Sequence, residues 1–293
     1  MLFLKRAADR EDRKLPSYDR SPWSCNKINI EEIKRMKIAD KLWNWGHLEG
    51  SHNQCVNKEC KMTPEMFAEK YGIKNAFLVS YAGNIQPPFD DLAKRFSALR
   101  EIKWSVLGDA GTPLPEAELG NTQDIIDVLG VGGNITGGVV DDFFSPERME
   151  RFTPEVLKKI QGVLNAVGRD FWCVLYEHQL DMDLKSYLDC FDGVTFWIWN
   201  SKNLSNVELY LEKLFALAAG KSVMLGIYLW DYNDSKELET AAFEGQLQYY
   251  FSLLKAKQIE GIIFCSSTIG DAGLETTDVL KKYIAEQGNI EIG

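Results

Sequence analysis

The sequence predicts a single (β/α)8 barrel, and three observations predict it. Eight short apolar runs recur along the chain, each is followed by a helix-like segment, and no clear ninth pair follows. Alternation of this kind requires a parallel sheet, because every helical crossover returns the chain to the same edge. Eight repeats favour closure into a barrel over an open, doubly wound sheet. The length of 293 residues then divides into an N-terminal arm over 1–38 and a barrel over 39–293, in keeping with the roughly 250 residues that such barrels commonly occupy.

The first 35 or so residues are polar, carry Pro16 and Pro22 and show no sustained period, so they read as an arm laid across the barrel with a short helix at Ile30–Arg35. From Lys41 onward the strand candidates are Lys41–His47, Ala76–Tyr81, Lys103–Leu107, Gly137–Asp142, Phe171–Glu177, Val194–Trp199, Val223–Trp230 and Gly261–Ser266. The helices that follow begin near Thr63, Phe89, Glu116, Thr153, Asp183, Leu204, Glu239 and Leu274. Thr63-Pro64-Glu65 and Thr153-Pro154-Glu155 each set a Thr N-cap before a Pro at the first helical position and an acid in the first turn. Leu209, Leu211, Leu214, Phe215 and Leu217 form an apolar stripe that Gly220 stops, and Tyr249, Tyr250, Leu253 and Leu254 form another before the last strand.

Composition narrows the function. A formal charge of -10 argues against a nucleic-acid groove, which needs a basic footprint. No apolar run is long enough to span a membrane, and Met1–Leu4 is too short for the apolar region of a signal peptide. The expected location is therefore the cytoplasm if the chain is complete, and the periplasm or exterior if a leader has been removed. No Gly-x-Gly-x-x-Gly follows the first strand, and Val131-Gly132-Gly133-Asn134 precedes a strand rather than opening a helix, so no nucleotide cofactor is implied. Of the six cysteines, Cys173, Cys190 and Cys265 fall in core segments. Cys55 and Cys60 are spaced as a disulfide of an exported protein would be, and no second Cys pair or His-Glu-x-x-His supports a zinc site.

In barrels the chemistry sits where strands run into the following loops. The sharpest of these ends is Asp141-Asp142. Adjacent residues of a strand point to opposite sides, so one of the two faces the axis, while the other caps a helix or pairs with a base. The axial one is expected to join Glu177 or Asp231 across the mouth. Two carboxyl groups so placed supply what glycoside hydrolysis needs, one to protonate the leaving oxygen and one to attack carbon or activate water. Glu177 lies between Tyr176 and His178, and Asp231 stands beside Asn233-Asp234-Ser235, strong turn chemistry that also fits a purely structural Asx turn. Trp45, Trp197, Trp199 and Trp230 form a second constellation of flat indoles for the apolar face of a sugar. Individually each also fits a role in the core. His47, Tyr81, Asp109, His178, Asn200, Asn44 and Tyr228 complete the polar and aromatic lining.

These strand ends resemble those of TIM-barrel glycoside hydrolases, and more narrowly the glycosidase-like barrels of bacterial glycan-utilisation systems. Gly138-Val139-Val140-Asp141-Asp142-Phe143-Phe144, Phe196-Trp197-Ile198-Trp199, Gly226-Ile227-Tyr228-Leu229-Trp230-Asp231-Tyr232 and Gly261-Ile262-Ile263-Phe264 carry the likeness, which spans roughly residues 40–287. It implies a carbohydrate ligand and catalysis by carboxylates. The sequence departs from the best-known patterns: it has no Asn-Glu on strand four, no Glu ending strand seven and no Asp-x-x-Asp-x-Asp-x-Glu. Two other readings use the same fold. One is a metal-dependent sugar isomerase, epimerase or aldolase working through His47, Glu49, Glu177 and His178. The other is a non-catalytic glycan-binding barrel.

Overall fold

A computed structural model of the chain describes residues 36–108 and 113–292. The short helix expected at Ile30–Arg35, Cys25 and Asp109 therefore lie outside the described residues. Among those described, eight strands close into one barrel in chain order, every neighbouring pair parallel and β1 joined to β8. They are β1 (Leu42–Gly46), β2 (Asn75–Leu78), β3 (Glu101–Ser105), β4 (Ile135–Val140), β5 (Asp170–Tyr176), β6 (Gly193–Trp197), β7 (Ser222–Tyr228) and β8 (Gly261–Cys265). Each lies within two residues of its expected start.

Ten α-helices accompany them among the described residues: α1 (Asn53–Val56), α2 (Pro64–Tyr71), α3 (Asp90–Arg95), α4 (Thr122–Asp127), α5 (Pro146–Arg151), α6 (Pro154–Ala166), α7 (Lys185–Leu188), α8 (Val207–Leu217), α9 (Thr240–Lys255) and α10 (Glu275–Gln287). The Thr63 hydroxyl caps α2 by accepting from the Met66 N–H at 3.2 Å. Thr153 holds the N-cap position of α6, but its side chain makes no cap bond and turns to Glu155 instead. The helix expected from Glu116 begins only at Thr122, because Gly120 adopts a left-handed φ of 54° and breaks any earlier turn. Two extra short helices, α1 and α5, stand in the loops after β1 and β4, on the side where the strands end. No helix among the described residues is long and apolar enough to cross a membrane. Cys55 and Cys60 are free thiols, and burial pushes Cys60 up to about 11.

Strand alternation sorts the sheet into two faces. Outward residues such as Ile102, Trp104 and Leu225 meet the helices, and α9, packed on β7 and β8, buries Phe243, Leu247, Tyr250, Phe251 and Leu254. Inward residues fill the barrel: Trp43, Trp45, Phe77, Val139, Trp172, Val174, Trp197, Met224 and Ile263 form a separate core. Four indoles need more room than an eight-strand barrel gives, and glycines on neighbouring strands supply it for two of them. A Cβ on Gly193 would stand 2.5 Å from the Trp172 ring, and one on Gly226 would stand 2.1 Å from the Trp197 ring. At the opposite end from the strand termini, Lys103 Nζ reaches Asp170 Oδ1 and Oδ2 at 2.5 and 2.7 Å and lies over the Trp43 and Trp172 rings. The interior is thus filled from this half-buried ion pair up to Trp45 and Trp197.

Gly226→Ala is expected to destabilise the fold by about 1–3 kcal/mol through overpacking. Gly245→Ala, on an exposed turn of α9 with nothing within 4 Å of the new Cβ, should instead stabilise it, by about 0.5–1 kcal/mol. Urea denaturation of both variants checks the pair, and equal effects would contradict the close approach of Gly226 to Trp197.

Candidate functional site

Above the indole floor, where the strands end, the barrel opens into a cavity of about 250 Å³. Strand register sets its level. Tyr176 is opposite Trp197, Tyr228 is opposite Cys265 and Cys265 is opposite Trp45. Asp141, Asp142, Tyr176, Trp199, Tyr228 and Tyr232 form its upper walls, with His47, His52, Cys55 and Tyr81 on the side of β1 and β2.

Both acids of the Asp141-Asp142 pair face this cavity, contrary to the expectation that only one would. The expectation assumed that strand geometry continues to Asp142. It does not: β4 ends at Val140, and Asp142 turns into the left-handed region at φ 45°. That conformation costs a non-glycine residue on the order of 1 kcal/mol, though Asp is among the side chains that tolerate it best. It swings the second carboxylate from the outer face to the inner one. The Asp142 N–H then donates to Asp141 Oδ1 at 2.9 Å, and the Tyr176 hydroxyl donates to Asp142 Oδ1 at 2.7 Å.

Glu177 and Asp231, expected opposite that pair, do not line the cavity. Glu177 is buried and accepts hydrogen bonds from the Trp199 N–H (2.9 Å), the Asn200 N–H (3.1 Å) and Asn203 Nδ2 (3.1 Å). Its carboxylate ties the end of β5 to the loop after β6. Asp231 accepts from Ser201 Oγ at 2.6 Å and from the Asp234 N–H, three residues on, at 2.9 Å, and so fastens the turn that its neighbours forecast. Both are therefore loop fasteners.

The aromatic candidates divide similarly. Trp45 and Trp197 form the floor, edge to face at 5.2 Å, and Trp197 Nε1 donates to Thr195 Oγ1. Trp199 stands at the rim, 38% exposed, stacked on Tyr232 and edge-on to Tyr228. Trp230 is elsewhere: β7 ends at Tyr228, the two-residue alternation lapses, and the indole packs beside Ile198, Leu204 and Leu238. Asn200 caps the turn after β6 by accepting from the Lys202 N–H, and Asn44 points to the outer face, donating to the Asn75 carbonyl. Neither amide lines the cavity. His178 is at the surface, stacked on Tyr176, and borders a second hollow of about 360 Å³ that shares Asp142, Tyr176 and Trp199 with the first.

Electrostatics keep most of this lining neutral. Burial, and next the nearby Tyr228, Asp141 and Asp142, raise the Tyr176 phenol well above its usual range. Burial likewise raises Tyr228 and Tyr232, and all three stay protonated. His47 Nδ1 lies 3.0 Å from the Val79 carbonyl, which only accepts, so that nitrogen carries the proton. His52, 4.7 Å from it between ring centres, has Nδ1 surrounded by Ser266 Oγ (2.7 Å), Tyr232 Oη (3.1 Å) and Thr268 Oγ1 (3.2 Å). Burial, and then His47, push His52 down to about 2.

Sequence reading missed His52, Tyr232 and Cys265 as lining residues and set Tyr176 beside Glu177 rather than Asp142. The pairing of His52 with the β8 loop, 214 residues away, leaves no trace in local sequence. Tyr176, the last inward residue of β5, was likewise not singled out as a lining residue. The four residues of the metal-dependent reading are held by different partners. Glu49 bonds Arg95, Glu177 the amides, and His47 the Val79 carbonyl, while His178 lies at the surface. Among the described residues no group of three His, Cys, Asp or Glu side chains is arranged to hold a metal ion.

No protein-family model matches the sequence, and no curated protein matches it. Solved structures do share the fold. The spore cortex-lytic enzyme SleL of Bacillus megaterium QM B1551 aligns with a TM-score of 0.52 at 12% identity, over 86% of this chain and 74% of that one. The catalytic domain of a hyperthermophilic chitinase from Pyrococcus furiosus gives 0.51 at 14%, over 79% and 86%. A chain of the Pyrococcus furiosus tryptophan synthase complex gives 0.50 at 14%, over 87% and 99%. At such identities the likeness is one of fold, and the barrel is of the kind that the strand-end resemblance implied.

A depressed histidine makes folding pH-dependent in one direction. The unfolded chain takes up a proton below about pH 6.5 while folded His52 does not, so stability is complete above that pH and is lost as the pH falls. The share from this group is at most about 1.4 kcal/mol per pH unit. Denaturation of wild type and His52→Gln across this range should give a shallower slope for the variant, and parallel slopes would show that His52 is not buried as described.

Proposed function

We propose that the chain is a glycoside hydrolase-like enzyme that cleaves a glycosidic bond at the barrel mouth, with the Asp141–Asp142 pair as its catalytic carboxylates. One observation carries this reading: both carboxylates face an aromatic-walled cavity, and Asp142 also borders the adjoining hollow. A chain of sugar rings lying through the two hollows would bring one of its linkages to Asp142. Hydrolysis needs a proton for the leaving oxygen and negative charge beside the anomeric carbon as positive charge develops there. Asp142, at the junction, is assigned the first role. Asp141, held by the Asp142 N–H, is assigned the second. Trp45, Trp197 and Trp199 offer flat apolar surface for sugar rings, and the neutral phenols of Tyr176 and Tyr228 offer hydroxyl partners.

In this reading Glu177 is a positioning residue. It holds the backbone of Trp199 and so fixes the rim against which a ring would stack. Two proteins that share the fold are named for cortex lysis and for chitinase activity, which agrees with the reading. Tryptophan synthase shares it as well, so the lining and not the barrel is the support.

The test is a screen of purified protein against a broad oligosaccharide panel, repeated with a chelator. Asp142→Asn and Asp141→Asn should each lower kcat by about 10²–10⁴-fold. Glu177→Gln should chiefly raise KM. Wild-type turnover in both Asp variants would refute the assignment, loss of activity in EDTA restored by a divalent ion would favour the metal-dependent reading, and thermal stabilisation by a sugar without turnover would make this a binding barrel.

A further inference from the structure

We infer that the site works on the ends of chains: its cavity takes the single terminal ring at the non-reducing end of an oligosaccharide, and the leaving chain runs out through the adjoining hollow. This rests on the carbohydrate reading above and on the roles given there to Asp141 and Asp142. The second hollow is bordered by Asp142 and Ser145 after β4, by Tyr176 and His178 at the end of β5, and by Trp199 after β6. It therefore leaves the mouth over the end of β5. In a closed ring of eight strands the end of β1 stands across from it.

That far side is stopped by rings. His47 and Tyr81, just past the ends of β1 and β2, and His52 in the loop after β1 pack edge to face, with ring centres 4.7, 5.0 and 5.6 Å apart. Both histidines are buried, His47 with Nδ1 on the Val79 carbonyl and His52 with Nδ1 among the hydroxyls of Ser266, Thr268 and Tyr232. The Tyr232 ring, 5.3 Å from His52, carries the wall on to Trp199 at 6.2 Å. A chain entering over β5 meets a wall fastened to the loops after β1, β2, β7 and β8, above an indole floor that is already filled. The cavity of about 250 Å³ falls below the roughly 300–1,000 Å³ of sites for drug-sized ligands. It has room for one ring and not for a run of them.

Which end of the chain enters follows from the places of the two acids. Asp142 borders both hollows, whereas Asp141 lines the cavity and not the second hollow. Asp141 is the carboxylate set beside the anomeric carbon, so the ring whose carbon is attacked lies in the blind cavity. The leaving oxygen then lies at Asp142, with the rest of the chain in the second hollow, where the parallel rings of Tyr176 and His178 offer it flat surface. A ring attacked at its own anomeric carbon, with nothing beyond it, is the non-reducing terminus. The bond from that carbon to the leaving oxygen breaks with both electrons on the oxygen, which takes a proton from Asp142. Water bonds to the carbon through its oxygen and returns a proton to Asp142, and one monosaccharide is freed.

The oligosaccharide that the panel screen shows to be cleaved is used as its pentasaccharide, fluorescently labelled on the reducing end, and the early products of the full chain are separated by length. The labelled tetrasaccharide should come first, with an equimolar amount of unlabelled monosaccharide, and shorter labelled products should follow in order of length. Labelled products of several lengths at the earliest times would overturn the chain-end inference and leave the hydrolase reading standing. Labelled monosaccharide as the first product would overturn it as well, by putting the reducing end in the cavity. Absence of cleavage across the whole panel would remove both readings. His178→Ala, a change at the surface, should raise KM for the pentasaccharide about fivefold, and an unchanged KM would overturn the placing of the leaving chain in the second hollow.

Discussion

An eight-strand barrel encloses a space just wide enough for side chains, so its interior has to be filled by the strands themselves. Here indoles fill it, and they fit only because neighbouring strands leave bare backbone beneath them. Trp172 lies against Gly193 and Trp197 against Gly226, both closer than any Cβ would allow. The Lys103–Asp170 pair closes the other end under the Trp43 and Trp172 rings. With that volume occupied, a ligand has no place inside the barrel. It has to sit above Trp45 and Trp197, at the level of the next inward residues, and those are Asp141, Tyr176, Trp199, Tyr228 and Cys265. The position of the site follows from the packing of the floor.

At that level the decisive feature is one backbone torsion. A straight continuation of β4 would give the cavity a single carboxylate and bury the other among the outer apolar residues. The left-handed turn at Asp142 avoids that burial and gathers two negative charges on the same side. The cost is modest and the local partners are specific: a backbone N–H on Asp141 and a phenol on Asp142. Departures from regular geometry of this kind concentrate at functional sites, where surrounding contacts hold them in place.

The remaining acids show how burial decides a carboxylate's task. Glu177 and Asp231 are enclosed, and their oxygens are committed to amide and hydroxyl donors of the neighbouring loops. A carboxylate taken from water needs such donors, and satisfying them is a loop-building role. That is why Trp199 and the turn after β7 keep fixed positions at the rim. The same rule explains His52, which is neutral and ringed by hydroxyls rather than paired with an acid.

Much of this was legible in the chain itself. Eight apolar runs with alternating helix signals determine the barrel, because period and turn chemistry are local properties, and the two-residue period put Trp197 and Trp199 on one face. The same local logic failed where regular structure stops. It allowed only one of Asp141 and Asp142 to face the axis, because a single left-handed residue does not announce itself in sequence. It carried Trp230 past the end of β7, and it offered Glu177 and Asp231 as partners across the mouth without knowing which loops would claim their oxygens. His52 joined the site only through contact with the β8 loop. Composition and periodicity thus determined the scaffold and the level of the site, while the tertiary structure decided which charges and rings meet there, since that depends on contacts between residues far apart in the chain.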